Sequence, residues 1–172
     1  MLKKGTVKKG RYKFIKYRTI RVSNLYEQFK GDFRAIELFH KKYPHPLLFS
    51  NTPICLTAQN YMDGVNVLEN PDDEPFVQRL VYHYRLDNTR YKIRSLKRLI
   101  RVIKSIKECG YCKGRHRHST IGVVKGVDCA FGKASGFALI SGKHRAAAVV
   151  VLGYQKIKVG VWQDMSKSKR GK

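Results

Sequence analysis

The sequence lacks any apolar run long enough to cross a bilayer. The longest run, at residues 146–152, is far shorter than the roughly 20 residues that a membrane-spanning helix needs. The basic N-terminus is not followed by an apolar segment, so no signal peptide is predicted. Cysteine is also scarce, with 4 residues among 172, which argues against a disulfide framework. These absences favour a soluble cytoplasmic protein with no membrane span.

Acidic residues are scarce as well. There are 12 Asp and Glu against 36 Lys and Arg, which gives a formal net charge of +24. Such an excess concentrates anions around a protein whatever its fold. We therefore expect DNA, RNA or another polyanion as a partner, and a highly solvated basic surface remains the alternative.

The apolar content of 42% is ordinary for a globular protein and indicates one core in a chain of this length. An acidic, turn-rich segment at residues 69–75 is the predicted boundary between two parts of the chain. The predicted division is an N-terminal extension with a basic tail (1–75), a domain (76–164) and a second basic tail (165–172).

Within the extension, a strand rich in aromatic and β-branched residues is predicted at 12–22. Asn24 is suited to begin a helix at 24–42, because apolar side chains then recur on one helical face. Residues 47–58 surround Pro53 and predict no more than one short strand or an irregular stretch.

The patterns are sharper in the second part of the chain. They predict a strand or short helix at 76–84, a helix at 96–108 capped by Ser95, strands at 121–127 and 137–140 with a turn at 132–136 between them, a helix at 143–152 and a strand at 156–162. This order predicts an α+β fold with a mixed sheet, preceded by the helical and strand extension.

A specific motif lies where the predicted strand at 137–140 meets the next helix. Its residues are Ser141, Gly142, Lys143, His144 and Arg145. A helix start offers free backbone N–H groups and the positive end of the helix dipole, and glycine allows close approach of a phosphate. Cations at a helix start oppose the dipole unless an anion binds there. The motif therefore predicts a phosphate site, in which the imidazole could donate a hydrogen bond or shuttle a proton.

The stretch from 137 to 159 resembles the second conserved box of the ParB N-terminal domain, within the ParB/sulfiredoxin superfamily. That box is a strand, a Gly-x-x-Arg turn, an Ala-rich helix, a Leu-Gly pair and a final strand. The helix and strand predicted upstream also match the family's order, so the resemblance covers about residues 86–162. It implies a ParB/sulfiredoxin-like mixed sheet, with Gly142, Lys143, His144 and Arg145 on nucleotide phosphates.

Relatives of this fold hydrolyse CTP, reduce sulfinic acids with ATP and a cysteine, or transfer a phosphoryl group to free serine. Sulfiredoxins have Cys where this chain has Lys143, which argues against sulfinic-acid reduction. The family's first conserved box is expected near 86–93, where Asp87 is the only acid. The catalytic candidates are therefore His144 and Asp87.

The helix predicted at 96–108 carries a row of cations opposite its apolar face. These cations are Lys97, Arg98, Arg101, Lys104 and Lys107. Such a row could contact the phosphates of a nucleic-acid backbone, and a merely solvated helix face is an equal alternative.

Two Cys and two His follow this helix, namely Cys109, Cys112, His116 and His118. The Cys-x-x-Cys spacing suits zinc, but the gap to the His pair is not that of common zinc modules. The favoured interpretation is a basic surface loop, with no metal site assigned. A zinc site or a redox pair remains open as an alternative.

The sequence thus predicts a nucleotide-binding ParB-like protein, either an NTPase or a small phosphotransferase. Its cofactor would be a nucleoside triphosphate or diphosphate, with or without Mg²⁺. The alternative is a non-catalytic DNA- or RNA-binding accessory protein, in which the Gly-Lys-His-Arg turn contacts backbone phosphates.

Overall fold

The computed structural model describes residues 12–27, 48–84, 87–111, 120–129 and 132–165. Within them lie five strands and four α-helices. The strands are β1 (Tyr12–Arg21), β2 (Leu25–Glu27), β3 (Gly122–Cys129), β4 (Gly132–Ser141) and β5 (Lys156–Asp164). The helices are α1 (Pro53–Met62), α2 (Pro75–Tyr84), α3 (Thr89–Cys109) and α4 (Lys143–Val151).

The five strands form one mixed sheet in the order β1-β5-β3-β4-β2. β1 runs antiparallel to β5 and β3 antiparallel to β4, while the β3–β5 and β2–β4 pairs are parallel. The predicted α+β class with a mixed sheet is therefore confirmed. The sheet takes strands from both sides of residue 75, so the predicted boundary there does not separate two sheets.

The four helices pack on one face of the sheet. All four contribute to one apolar core, which also contains Leu25, Val123, Leu139 and Val159 from the strands. Helix α4 is central in this layer, because it packs against both α1 and α3. The position of α4 places its first turn beside the carboxyl ends of β2 and β4.

Three predicted elements differ from the structure in the first part of the chain and in β4. Leu25 does not continue a helix from Asn24 but opens β2, because its side chain is fully buried in the core. The rest of the helix predicted at 24–42 lies outside the described residues. The segment around Pro53 is helical, since proline fits the first position of α1 without losing a hydrogen bond. The turn predicted at 132–136 is part of β4.

Helix α3 is longer than predicted at its N-terminus. Asn88 begins it, and the Asn88 side-chain oxygen accepts a hydrogen bond from the backbone N–H of Tyr91 at 3.1 Å. Its C-terminus agrees with the prediction, because Gly110 follows with a φ of 73°. The segment 76–84, left open between strand and helix, belongs to α2.

Candidate functional site

The turn between β4 and α4 depends on Gly142. This residue has φ 81° and ψ 29°, the left-handed conformation that side chains disfavour. A Cβ placed on it would also lie 3.1 Å from the Cα of Ile121 on the neighbouring chain segment. Glycine is therefore needed both for the turn and for the close approach of two backbones.

The first turn of α4 leaves its backbone donors outside the helical hydrogen-bond ladder. The first bond of that ladder runs from the N–H of Ala146 to the carbonyl of Gly142, at 2.9 Å. The N–H groups of Lys143, His144 and Arg145 precede it, and the cap at Gly142 offers no side chain to accept from them. The first turn contains no acidic residue either. These features suit an anion as the capping group.

His144 lies half-buried at the base of this turn. Its ring meets the ring of Phe76 edge-on, with 5.7 Å between centroids, and its Nε2 is buried with no hydrogen-bond partner among the residues that the structure describes. Burial, and after it the charges of Arg98, Lys143 and Arg145, together lower the pKa of His144 to about 4. The imidazole is therefore neutral near pH 7.

Three cations thus act on the same imidazole, two from α4 and one from α3. Arg98 was predicted from the basic row on α3, whereas Lys143 and Arg145 were predicted from the Gly-Lys-His-Arg turn. Helices α3 and α4 pack against each other, and Arg98 of the basic row contributes to the lowered pKa of His144 together with the two cations of α4. The sequence placed these residues in two separate sites.

Glu27, at the end of β2, is a residue that sequence analysis missed. Its carboxylate is 1% exposed and accepts a hydrogen bond from Nη1 of Arg79 at 2.6 Å and another from Nζ of Lys143 at 3.2 Å. Burial alone would raise the pKa of Glu27, but the charges of Lys143 and Arg79 together hold it below its usual value. Glu27 is thus a buried, ionised anchor for two cations.

A sequence signal for Glu27 existed. In the strand that runs from Leu25, alternate side chains point to the same face, so Leu25 and Glu27 share the buried face. Because residues 24–42 are predicted as a helix, the two-residue alternation of a strand is not applied to Glu27.

Lys143 can serve both Glu27 and a ligand. Its side chain remains 38% exposed while its Nζ contacts Glu27. Ser141, Gly142 and Arg145 are half-buried as well, so the whole predicted phosphate motif borders solvent.

The basic row on α3 is exposed as predicted, with Lys97, Arg98, Arg101, Lys104 and Lys107 all on the solvent side of the helix. The opposite side of α3 is buried in the core through Leu96, Leu99, Ile103 and Ile106. A shallow depression of about 470 Å³ lies along the row, between it and Leu68.

Asp87, the other predicted catalytic residue, contacts Lys92 rather than His144. Its carboxylate is 74% exposed and pairs with Nζ of Lys92 at 2.5 Å, and Lys92 also contacts Asp72 at 2.6 Å. Among the described residues, the structure shows no contact between Asp87 and His144.

The Cys–His segment is described only at its first member. Cys109 is the last residue of α3 and is exposed. Cys112, His116 and His118 lie outside the described residues. Within the described part of the chain, no group of three His, Cys, Asp or Glu side chains is arranged to hold a metal ion.

Comparisons of the chain with family models, with curated proteins and with solved structures find no match. Among the described residues, no helix has the length and apolar character needed to span a membrane.

Proposed function

We propose that the chain binds the phosphate groups of a nucleotide at the start of α4, as a ParB-like nucleotide-binding protein. The observation that carries the proposal is the turn at Gly142, where free N–H groups and several cations meet at a helix start without an acidic cap. The first turn of α4 contains no acidic residue of its own, although such a helix end favours negative charge.

The charge balance around the turn supports this proposal. Arg79, Arg98, Lys143 and Arg145 are the cations, and Glu27 is the carboxylate that contacts two of them. The excess of positive charge favours an anion with several oxygens, such as a di- or triphosphate.

Within this proposal each residue has a distinct role. The N–H groups of 143–145 and the guanidinium of Arg145 hold phosphate oxygens. Glu27 orients Lys143, so the ammonium approaches a ligand from a fixed direction. Gly142 keeps the backbone accessible to the phosphate.

The proposed activity is phosphoryl transfer or hydrolysis of the bound nucleotide, with His144 as the group that handles a proton. The nitrogen lone pair of its neutral imidazole can accept a proton from the attacking group, which an imidazolium could not do, and the imidazolium formed can then pass that proton to the leaving phosphate. We expect His144→Asn to bind nucleotide about as well as the wild type and to turn it over more slowly. Equal turnover by this variant and the wild type would show that His144 takes no part in the reaction.

Nucleotide binding itself is tested by calorimetric titration with ATP, CTP and ADP. Arg145→Ala should weaken binding at least about tenfold, because a charged hydrogen bond to phosphate contributes roughly 1.5–3 kcal/mol. Lys13→Ala is the matched control, since Lys13 is an exposed cation on β1 and takes no part in the turn. Equal affinity of the Arg145→Ala and Lys13→Ala proteins would refute the site.

The second candidate function is binding to a nucleic-acid backbone through α3. The exposure of all five cations of the basic row favours it. Backbone contacts of this kind carry little sequence discrimination and weaken steeply with salt. High affinity for a nucleotide would favour the first function, whereas salt-steep binding to DNA or RNA without nucleotide turnover would favour the second.

A further inference from the structure

The sheet face opposite the helices carries a second apolar cluster. Val124 and Ala138 are its buried members, and Tyr12, Tyr26, Ile140 and Trp162 pack on them. All of these residues belong to the strands, so no described helix contributes to the cluster. We call this surface the open face of the sheet.

Aromatic rings on the open face lie directly on glycine backbone. A Cβ built on Gly122 or Gly160 would stand 3.2 or 3.3 Å from Nε1 of Trp162. A Cβ on Gly136 would overlap the ring of Tyr26. The glycines therefore provide room for the two rings to lie against the sheet.

Further rings continue this surface onto β1. Phe14 lies opposite Trp162 in the strand register, with 5.4 Å between ring centroids, and Tyr17 lies 5.0 Å from Phe14. All three side chains are half-buried, so each keeps part of its surface in contact with solvent.

Cations extend the same row toward the other end of β1 and β5. Residues 156, 158, 160 and 162 of β5 alternate with the core-facing positions, so Lys156 and Lys158 lie on the same face as Gly160 and Trp162. Arg21 lies opposite Lys156 in the register. All three cations are exposed. One continuous strip thus joins aromatic rings to positive charges.

We propose that the open face binds single-stranded nucleic acid, with unpaired bases on the rings of Phe14, Tyr17 and Trp162 and phosphates on Arg21, Lys156 and Lys158. Aromatic rings beside a positive strip match the two chemical parts of a single strand, its base faces and its phosphates. A duplex fits less well, because its bases are already stacked on one another. The strip lies on the side of the sheet opposite α3 and α4, so this inference does not depend on the proposed nucleotide site.

Trp162 allows a direct test, because it is the only tryptophan of the chain. Base stacking on its indole should quench its fluorescence. We expect a single-stranded oligodeoxythymidine to quench the emission in a saturable way. Two controls should not quench it: the same oligonucleotide paired with oligodeoxyadenosine as a duplex, and inorganic polyphosphate, which has no bases. Absence of saturable quenching by the single strand at low salt, or equal quenching by the duplex, would overturn the proposal.

Variants separate stacking from charge. Trp162→Leu should weaken single-strand binding, measured by anisotropy of a labelled oligonucleotide, at least about fivefold, and Trp162→Phe should retain most of it. Because Trp162→Leu removes part of a small cluster, a second test uses the exposed Lys156→Glu/Lys158→Glu pair, which should also weaken binding. Arg90→Glu/Arg94→Glu makes the same charge change at exposed positions on α3 and should leave the quenching unchanged. If both pairs weaken binding equally, net charge and not the open face holds the strand.

Discussion

The carboxylate of Glu27 and the guanidinium of Arg79 form an ion pair of 2.6 Å in which the side chains are only 1% and 8% exposed. Arg79 lies on α2 and Glu27 on β2, so the pair connects the helical layer to the edge of the sheet. Lys143 of α4 joins the same carboxylate. Glu27 therefore connects α2 and the first turn of α4 to the edge of the sheet.

Breaking this pair should destabilise the fold. Glu27→Gln leaves the charges of Arg79 and Lys143 without their counterion, and loss of one partner of a buried pair costs about 3–5 kcal/mol. Chemical denaturation should show this loss in the free energy of unfolding. Asp87→Asn is the control, since its exposed carboxylate shares Lys92 with Asp72, and it should change stability little. Equal stability of the two variants would contradict the anchoring role of Glu27.

The stability of the protein should fall in acid in two stages. The folded pKa of His144, about 4, lies below its ordinary value of 6.5, so the unfolded state binds the proton more readily between these values. Stability should therefore decrease as pH falls from 6.5 to about 4, by up to roughly 3 kcal/mol, and this contribution should then level off. Since the pKa of Glu27 is also lowered, its stabilising contribution is present above pH 4.5 and is lost as pH falls further.

The variant His144→Leu separates these stages. It should abolish the decrease between pH 6.5 and 4 and keep the one below 4.5, as measured by denaturation across this pH range. A wild-type protein equally stable at pH 7 and pH 4.5 would contradict the burial of a neutral His144.

The turn at Gly142 should tolerate no side chain. Gly142→Ala combines the left-handed backbone with a contact to Ile121, whereas Gly153→Ala has a similar φ of 74° and nothing within 4 Å of its Cβ. The Gly153 variant should lose about 1–2 kcal/mol from strain alone, and the Gly142 variant should lose more. Thermal denaturation of the two variants measures the difference, and a smaller loss at Gly142 would refute the close backbone approach.

The elements around α4 could be predicted from sequence because their signals are local. A short apolar run, a glycine and an Ala-rich helical stretch predict the second half of β4, Gly142 and α4 without long-range information, whereas the first half of β4 was predicted as a turn. Glu27 could not be placed in this way, because its importance comes from Arg79 and Lys143, 52 and 116 positions away. The helix at Pro53 was missed because proline at a helix start resembles proline in a loop.

The basic row on α3 should give duplex DNA binding a measurable salt dependence. Each contacted phosphate contributes about 0.9 to the slope of log affinity against log salt concentration. Lys104→Glu/Lys107→Glu should therefore reduce the magnitude of the slope by about 2. An unchanged slope, together with unchanged affinity, would show that α3 does not contact the backbone.

Backbone NMR of the isotope-labelled protein during titration with ATP, CTP, ADP and inorganic phosphate tests the central claim most directly. Phosphate oxygens bound at the start of α4 should shift the amide resonances of Lys143, His144 and Arg145 in a saturable way, and ATP or CTP should saturate them at lower concentration than inorganic phosphate. Saturable shifts confined to other parts of the chain, or no shifts at millimolar nucleotide, would contradict the proposed site.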